Sequence, residues 1–374
     1  MYNYQPGRPI TGDSAWRKDS FNSSADFTVR IPADVIAELD TLSRDERFRA
    51  ARYDQLELSQ FSAPKLRAFM DTAVRPQIYD GRGFVLIDGI DASRYSVQEL
   101  EKFYWLMGQP LGEAVSQSAA GDFLGHVEDR TPPGAKESAR GYIGRRVLPL
   151  HTDGGDVMGL MCVRTSRSGG TTVMSSVHTI YNELLRTAPQ LLPTLFRGYR
   201  YHRRGEQAEG APILTPYFVP VFHDVGGMLS SHFVRSSIEV AARESGTALE
   251  GIELEALEAF DKAANSLDVR IEFDLQPGQV LLANNYTTLH ARTEFEDHDE
   301  KERKRLMFRL WLLSHPRWNV PQELLVYENK SGRPGVDPKP GGSQASADYI
   351  HRYVGESAAM AHAQVKRRDT ATSN

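Results

Sequence analysis

The spacing of apolar residues changes character along the chain. Residues 32–80 carry helical spacing, in PADVIAELDTLSRD and FSAPKLRAFMDTAVRPQIYD, where apolar side chains recur every three or four positions and share one face. GFVLIDGI at 83–90 is a β-branched, apolar run bounded by glycines, which predicts a strand, and SVQELEKFYWLMGQPLG at 96–112 returns to helix. From about Tyr142 onward short apolar runs dominate: MGLMCVR, GGTTVMSSV, VRIEFDL, GQVLLANN and RLMFRLWLL. Helices are predicted to interrupt them at 178–196 and 253–267. Many short strands between turn residues predict a sandwich or jelly roll, not a parallel α/β sheet. The fold class read from the pattern is mainly β with flanking helices, the helices buttressing one β core.

The ends lack this periodicity. Residues 1–25 are polar and carry Gly, Pro, Ser and Asn, so they are expected to form a flexible N-terminal arm. Residues 26–330 are read as one domain with helical insertions. SGRPGVDPKPGGSQAS at 331–346 has linker composition and opens a polar C-terminal tail to Asn374. No internal repeat suggests a solenoid.

Composition narrows the partners. The 374 residues are 40% hydrophobic and 25% charged, ordinary for a globular protein. A net charge of −5 offers no general attraction for nucleic acid or anionic membrane. The first twenty residues hold no apolar signal-peptide core, and no stretch reaches the roughly 20 apolar residues of a membrane span. Cys162 is the only cysteine, which excludes an internal disulfide and a cysteine-based zinc cluster. It lies in an apolar run and reads as a small buried hydrophobe, not a nucleophile. A cytoplasmic location is the simplest expectation. The oligomeric state is not legible, and a homo-oligomer stays open.

The most informative stretch is LPLHTDGGD. His151 and Asp153 are two apart, so on an extended segment both project from one face. His290 ends another apolar run, in VLLANNYTTLHARTEF. Two imidazoles and one carboxylate form the facial triad of Fe(II) oxygenases, which leaves three coordination sites open. A lone His-x-Asp pair is commonplace, and His126-Val-Glu128 has the same spacing. That second pair is followed by Asp129 and Arg130, which suggests a solvated loop.

Arg305 and Arg309 are four apart on an otherwise apolar, strand-like run. With period two they share a face and enter the core together. Buried arginine is rare unless paired, and no acidic partner is evident nearby in sequence. Two inward guanidiniums therefore suggest an anion site, since arginine offers a carboxylate a rigid bidentate fork. The alternative is a helix with both arginines on its wet face.

His151-x-Asp153, Gly169-Gly170-Thr171-Thr172, His290-Ala-Arg and Arg305-xxx-Arg309 together resemble the taurine dioxygenase and clavaminate synthase-like family of 2-oxoglutarate-dependent oxygenases. The resemblance covers roughly residues 80–320. It implies a distorted double-stranded β-helix, a jelly roll with iron at its open end. It also implies that His151, Asp153 and His290 bind Fe(II), and that Thr172, Arg305 and Arg309 serve 2-oxoglutarate, Arg305 taking the distal carboxylate. O₂ is then a cosubstrate, and a small amino-acid-like, betaine-like or natural-product molecule is hydroxylated at an unactivated C–H bond with release of succinate and CO₂. Arg292 is expected at the surface or just behind the site. Gln117, Tyr217 and Arg235 are candidates for the substrate pocket, and Tyr201 with His202 for an aromatic wall. Two other readings compete: a zinc hydrolase using the same three ligands, and a jelly-roll binding protein without turnover.

Overall fold

The structure, a computed structural model, describes residues 4–130, 144–315, 318 and 320–339. Two β-sheets face one another. The larger runs in the order Thr28–Arg30, Phe84–Asp88, Val280–Asn284, Val157–Arg164, Leu306–Ser314, Gly112–Ala114, and Leu124–Val127 also pairs with Leu306–Ser314. The smaller has the order Ile271–Phe273, Thr172–Ser176, Thr288–Arg292, Leu148–His151 and is antiparallel throughout. In the larger sheet only the first pair, Thr28–Arg30 with Phe84–Asp88, is parallel. The sheets do not close into a barrel; this is the mainly β jelly roll with flanking helices.

Alternation along each strand sorts the core into layers. Phe84, Leu86, Met158, Cys162, Leu281, Ala283 and Met307 of the larger sheet meet Met174, Ile271 and Phe273 of the smaller one between the sheets. The intervening residues Val85, Ile87, Val157, Met161, Val280, Leu282 and Phe308 face outward onto Leu39, Leu66, Phe69, Phe103 and Met107 of the N-terminal helices. On the far side, Val173 and Leu289 pack against Val177, Ile180, Leu257 and Phe260 of two further helices. Helices cover both sheets, so Val280–Asn284 and Leu306–Ser314 are buried along their whole length. That explains their continuous apolar character.

Local chemistry places the helices. Val97–Gly108 starts at a capping box: Ser96 Oγ accepts from Glu99 N–H, and Glu99 accepts from Ser96 N–H. The helix expected over 61–80 is Pro64–Phe69, a π-turn at Met70–Val74 and Arg75–Tyr79. Pro76 has no N–H to continue a regular ladder. The one expected over 178–196 divides into Val177–Thr187, Pro189–Leu191 and Leu192–Arg197 at its prolines.

Two expectations about loose segments are corrected. The chain from Tyr4 is no free arm. Trp16 is buried against Phe84, Ser14 O accepts from Ser176 Oγ, Gly7 N–H donates to Tyr181 Oη, and Arg17 pairs with Glu183. Aromatic burial and backbone pairing outweigh the polar composition of this segment. Likewise 331–339 lies on the body, with Val336 buried and Lys339 Nζ donating to Gly205 O; 340–374 are outside the described residues. Among the described residues, no helix is long and apolar enough to cross a membrane.

Candidate metal centre and active site

Leu148–His151 and Thr288–Arg292 are neighbours in the smaller sheet, and His151 stands opposite His290 in their register. The ladder shifts between His290 and Arg292, the kind of irregularity that re-aims side chains beside sites. Because Leu150 and Leu289 face the outer helices, the alternate residues His151 and His290 face the larger sheet, with ring centroids 4.3 Å apart. Asp153 follows in the turn. Its Oδ1 lies 3.7 Å from His151 Nε2 and its Oδ2 3.5 Å from His290 Nε2. The ligand atoms of the three residues lie within 4.8 Å of one another.

Several features fit this trio to a cation. His151 Nδ1 is 2.8 Å from Pro149 O; a carbonyl only accepts, so Nδ1 carries the proton and Nε2 presents its lone pair. Asp153 Oδ2 is buried and makes no hydrogen bond among the described residues. Burial alone would raise the Asp153 carboxyl, but the Arg309 guanidinium and the two imidazoles beside it hold it well below the usual carboxylate range. Burial and the neighbouring His151 push His290 down, which favours the neutral ring a metal requires. Two neutral imidazoles with one carboxylate suit iron(II).

The turn is braced from the chain just before His290. Asn285 Oδ1 accepts from Asp153 N–H at 2.9 Å, and its Nδ2 donates to Asp153 O at 2.6 Å and Gly155 O at 2.7 Å. Asp156, fully buried, accepts from Tyr286 Oη at 2.7 Å and from Ser314 N and Oγ at 2.9 Å. A Cβ on Gly154 would lie 2.8 Å from the Trp311 ring. The two glycines of HTDGGD thus make room for a tryptophan of the last strand.

The two arginines have different surroundings. Arg309 Nη1 is 3.4 Å from Asp153 Oδ1, and its Nε donates to Gln117 Oε1 at 2.7 Å. Arg309 therefore has the acidic partner that sequence distance concealed. Arg305, 5% exposed, lies over Phe295, and its Nη1 has no hydrogen-bond partner among the described residues. Desolvation pulls its guanidinium down to about 10. A Cβ on Gly170 would lie 3.5 Å from Arg305 Nε, so Arg305 reaches the Gly169–Thr172 turn. Gly169 (φ 70°) is required there, because a Cβ would meet Glu294 O at 2.2 Å. Thr172 is buried opposite Arg292 in the ladder. Arg292 is not at the surface: it is 6% exposed, donates to Gly144 O and Arg146 O, and also lies over the Phe295 ring, 4.7 Å from its centroid.

The remaining candidates disperse. Gln117 is buried and committed to Arg309, whose carbonyl also accepts from its Nε2. Tyr217 Oη donates to Leu325 O. Arg235 is occupied by Glu239 and Asp261 on the helices. Tyr201 is fully buried and donates to His232 O, and His202 pairs with Glu244. His126 lies on the strand Leu124–Val127, not in a loop, and pairs with Glu101.

A pocket beside the metal residues is lined by Asp153, Gly154, Gly155, His232, Tyr286 and the stretch 324–327. A larger recess lined by Asp54, Trp105, Gln109 and Glu113 shares no residue with it. His232, Asn285 and 324–327 were not singled out from the sequence. The doubled acid of DGGD was a usable signal for Asp156; His232 had none, as only tertiary contacts bring it here.

A sequence model of the taurine catabolism dioxygenase TauD, TfdA family matches residues 52–311. FR-33289 synthase of Streptomyces rubellomurinus is 27% identical over 310 residues, covering 82% of this chain and 90% of that protein. Taurine hydroxylase-like protein SAT17 of Stachybotrys chartarum is 25% identical over 325 residues, covering 84% and 83%. The non-heme iron oxygenase OrfP, solved with Fe, succinate and (3S)-hydroxy-L-Arg, superposes with a TM-score of 0.57 at 14% identity, covering 76% of this chain and 94% of that one. OrfP has also been solved with Fe and alpha-ketoglutaric acid. The hydrolase and binding-protein readings are set aside by this match: the chain belongs to the TauD, TfdA family and is an Fe(II)- and 2-oxoglutarate-dependent dioxygenase.

Proposed function

We propose that His151, Asp153 and His290 hold the iron, and that the enzyme hydroxylates an unactivated C–H bond of a small amino-acid-like, betaine-like or natural-product substrate. The observation that carries this reading is the convergence of three ligand atoms within 4.8 Å, together with a buried guanidinium, Arg305, whose Nη1 has no hydrogen-bond partner among the described residues. Iron bound there with 2-oxoglutarate and O₂ supplies the oxidising power, and succinate and CO₂ leave as co-products.

The chain's own groups do the positioning. Arg305 offers its open Nη1 to the distal carboxylate of 2-oxoglutarate, with Thr172 beside the same turn as a hydroxyl donor. The desolvated guanidinium has no ion pair among the described residues, the nearby Asp297 accepting from the Arg305 main-chain N–H, and this supports the assignment. Arg309, locked by Gln117, keeps Asp153 ionised and aimed between the imidazoles. The stretch 324–327 roofs the pocket and excludes water from the reacting groups. The hydroxylated amino acid in the OrfP structure supports an amino-acid-like substrate for this fold.

The test is an anaerobic titration with Fe(II) and then 2-oxoglutarate. The expected result is the visible iron–2-oxoglutarate charge-transfer band, followed by succinate release when O₂ and a turnover-competent small molecule are supplied. A folded protein that forms no such band overturns the assignment.

A further inference from the structure

His232 follows the hairpin of Phe222–Val225 and Met228–Ser231 and is 6% exposed. Its backbone is fixed from two sides. Tyr201 Oη donates to His232 O, and the next residue, Phe233, exchanges hydrogen bonds with Thr152: Thr152 N–H donates to Phe233 O, and Phe233 N–H donates to Thr152 Oγ1 at 3.0 Å. The imidazole is thereby carried by Thr152, the residue between two of the iron-binding side chains.

The ring's two nitrogens have unlike surroundings. Nδ1 lies 3.4 Å from Thr152 Oγ1. That hydroxyl already accepts from Phe233 N–H, and its own proton needs an acceptor; among the described residues His232 Nδ1 is the one it meets. The hydroxyl thus donates to Nδ1, and the ring proton resides on Nε2. Nε2 is buried and has no hydrogen-bond partner among the described residues. With Nδ1 turned to Thr152, Nε2 is the ring's other polar end, toward the pocket His232 shares with Asp153, Gly154, Gly155 and Tyr286. Tyr286 Oη is committed to Asp156, so its donor is not offered there. Burial pushes the ring down to about 4, so it stays neutral. An N–H so placed is costly to leave without an acceptor, and neither the metal ligands nor the two arginines supply one.

We propose that His232 is a substrate-reading residue, whose Nε2–H donates to an oxyanion or carbonyl oxygen of the primary substrate bound beside the iron. This rests on the assignment of the iron site above. It restricts the substrate class: the molecule carries an oxygen acceptor near the carbon to be oxidised, and an analogue without it leaves a buried donor unpaired and is rejected.

The test uses the full chain, labelled with ¹⁵N-histidine, loaded with Zn(II) in place of iron and with 2-oxoglutarate, and titrated with formate as the smallest oxyanion probe. His232→Phe identifies the resonance, and His232→Gln restores a donor at the position of Nε2. The expected result is a His232 ring protonated at Nε2, whose proton moves downfield saturably with formate. In parallel, formate affinity is retained within about threefold by the Gln variant and falls at least tenfold in the Phe variant. A ring protonated at Nδ1, or an Nε2–H unmoved by formate, overturns the proposal. The iron–2-oxoglutarate charge-transfer band separates the two readings. Its absence from the wild type sinks the iron assignment, whereas its loss only in the Phe variant reduces His232 to a structural role and sinks this proposal.

Discussion

Asn285 grips Asp153 by its main chain, accepting from its N–H at 2.9 Å and donating to its carbonyl at 2.6 Å. One amide side chain thus sets the direction of the turn that carries Asp153, five residues ahead of His290, the two being proposed iron ligands. Groups that orient metal ligands typically cost tenfold to hundredfold in affinity when removed. Asn285→Ala is therefore expected to weaken Fe(II) binding by roughly 10–100-fold, measured by anaerobic titration in the presence of 2-oxoglutarate. Unchanged iron affinity in the folded variant would show that the turn holds its shape without the amide.

Arg305 and Arg309 are expected to separate in their effects. Arg305→Leu removes a charge-assisted contact worth about 1.5–3 kcal/mol, so 2-oxoglutarate affinity falls by roughly 10–150-fold while Fe(II) affinity stays near the wild-type value. Titrating 2-oxoglutarate against the charge-transfer band reads this directly. Equal loss of both ligands would refute the division of labour.

Gln117 acts through Arg309. Gln117→Leu leaves the Arg309 Nε without its acceptor and frees the guanidinium to turn from Asp153. The expected outcome is a fall of about tenfold in kcat, at the low end of what misplaced catalytic groups cost, with the 2-oxoglutarate KM little changed. A variant with wild-type kcat assigns Gln117 to packing alone.

The buried His178 gives a pH signature away from the iron. Its Nδ1 is 2.8 Å from Ser14 Oγ and its Nε2 2.9 Å from Leu229 O, and burial lowers it to about 4. Below about pH 6.5 the unfolded chain takes up a proton that the folded chain refuses, so stability falls as pH drops from 6.5 toward 4. This group alone contributes a loss of about 3 kcal/mol across that window. Urea unfolding of His178→Gln between pH 6.5 and 4 is expected to give a shallower pH slope than the wild type. Parallel slopes would rule out His178 as a source.

The N-terminal segment is part of the core. Trp16 is 3% exposed, packs on Phe84 and donates from Nε1 to Arg82 O. Trp16→Ala is expected to cost about 3–5 kcal/mol by denaturant unfolding. A loss under 1 kcal/mol would return the segment to the status of a loose arm.

The sequence made His151 and Asp153 conspicuous because a two-residue period puts side chains on one face, and His290 because it ends an apolar run; neither reading needs tertiary knowledge. The same rule put Arg305 and Arg309 together on the strand that ends the core. It could not find the acid for Arg309, which lies more than 150 positions away, nor show that Arg305 and Arg309 have different neighbours. Gln117 stood out as a polar residue in a loop, but a loop position says nothing of its partner. His232 and Asn285 act through tertiary contacts with the 152–155 turn, and no local pattern records such contacts. Residues 1–25 were misread because composition was weighed above one buried tryptophan. The prolines at 76, 189 and 193 were in view, yet the helices they interrupt were read as continuous.

The stretch 324–327 meets the metal turn from outside the two sheets, held by Tyr217 at Leu325 O, while neighbouring Val336 is tied to Ser116 O. Oxidising machinery and pocket cover therefore belong to separate portions of the polypeptide, joined by a handful of tethers. Such an arrangement lets the cover be exchanged for another of different shape while the ligands and their braces stay in register. Grafting replacements between Pro321 and Val336 is accordingly the natural route to changing which molecule this oxygenase accepts.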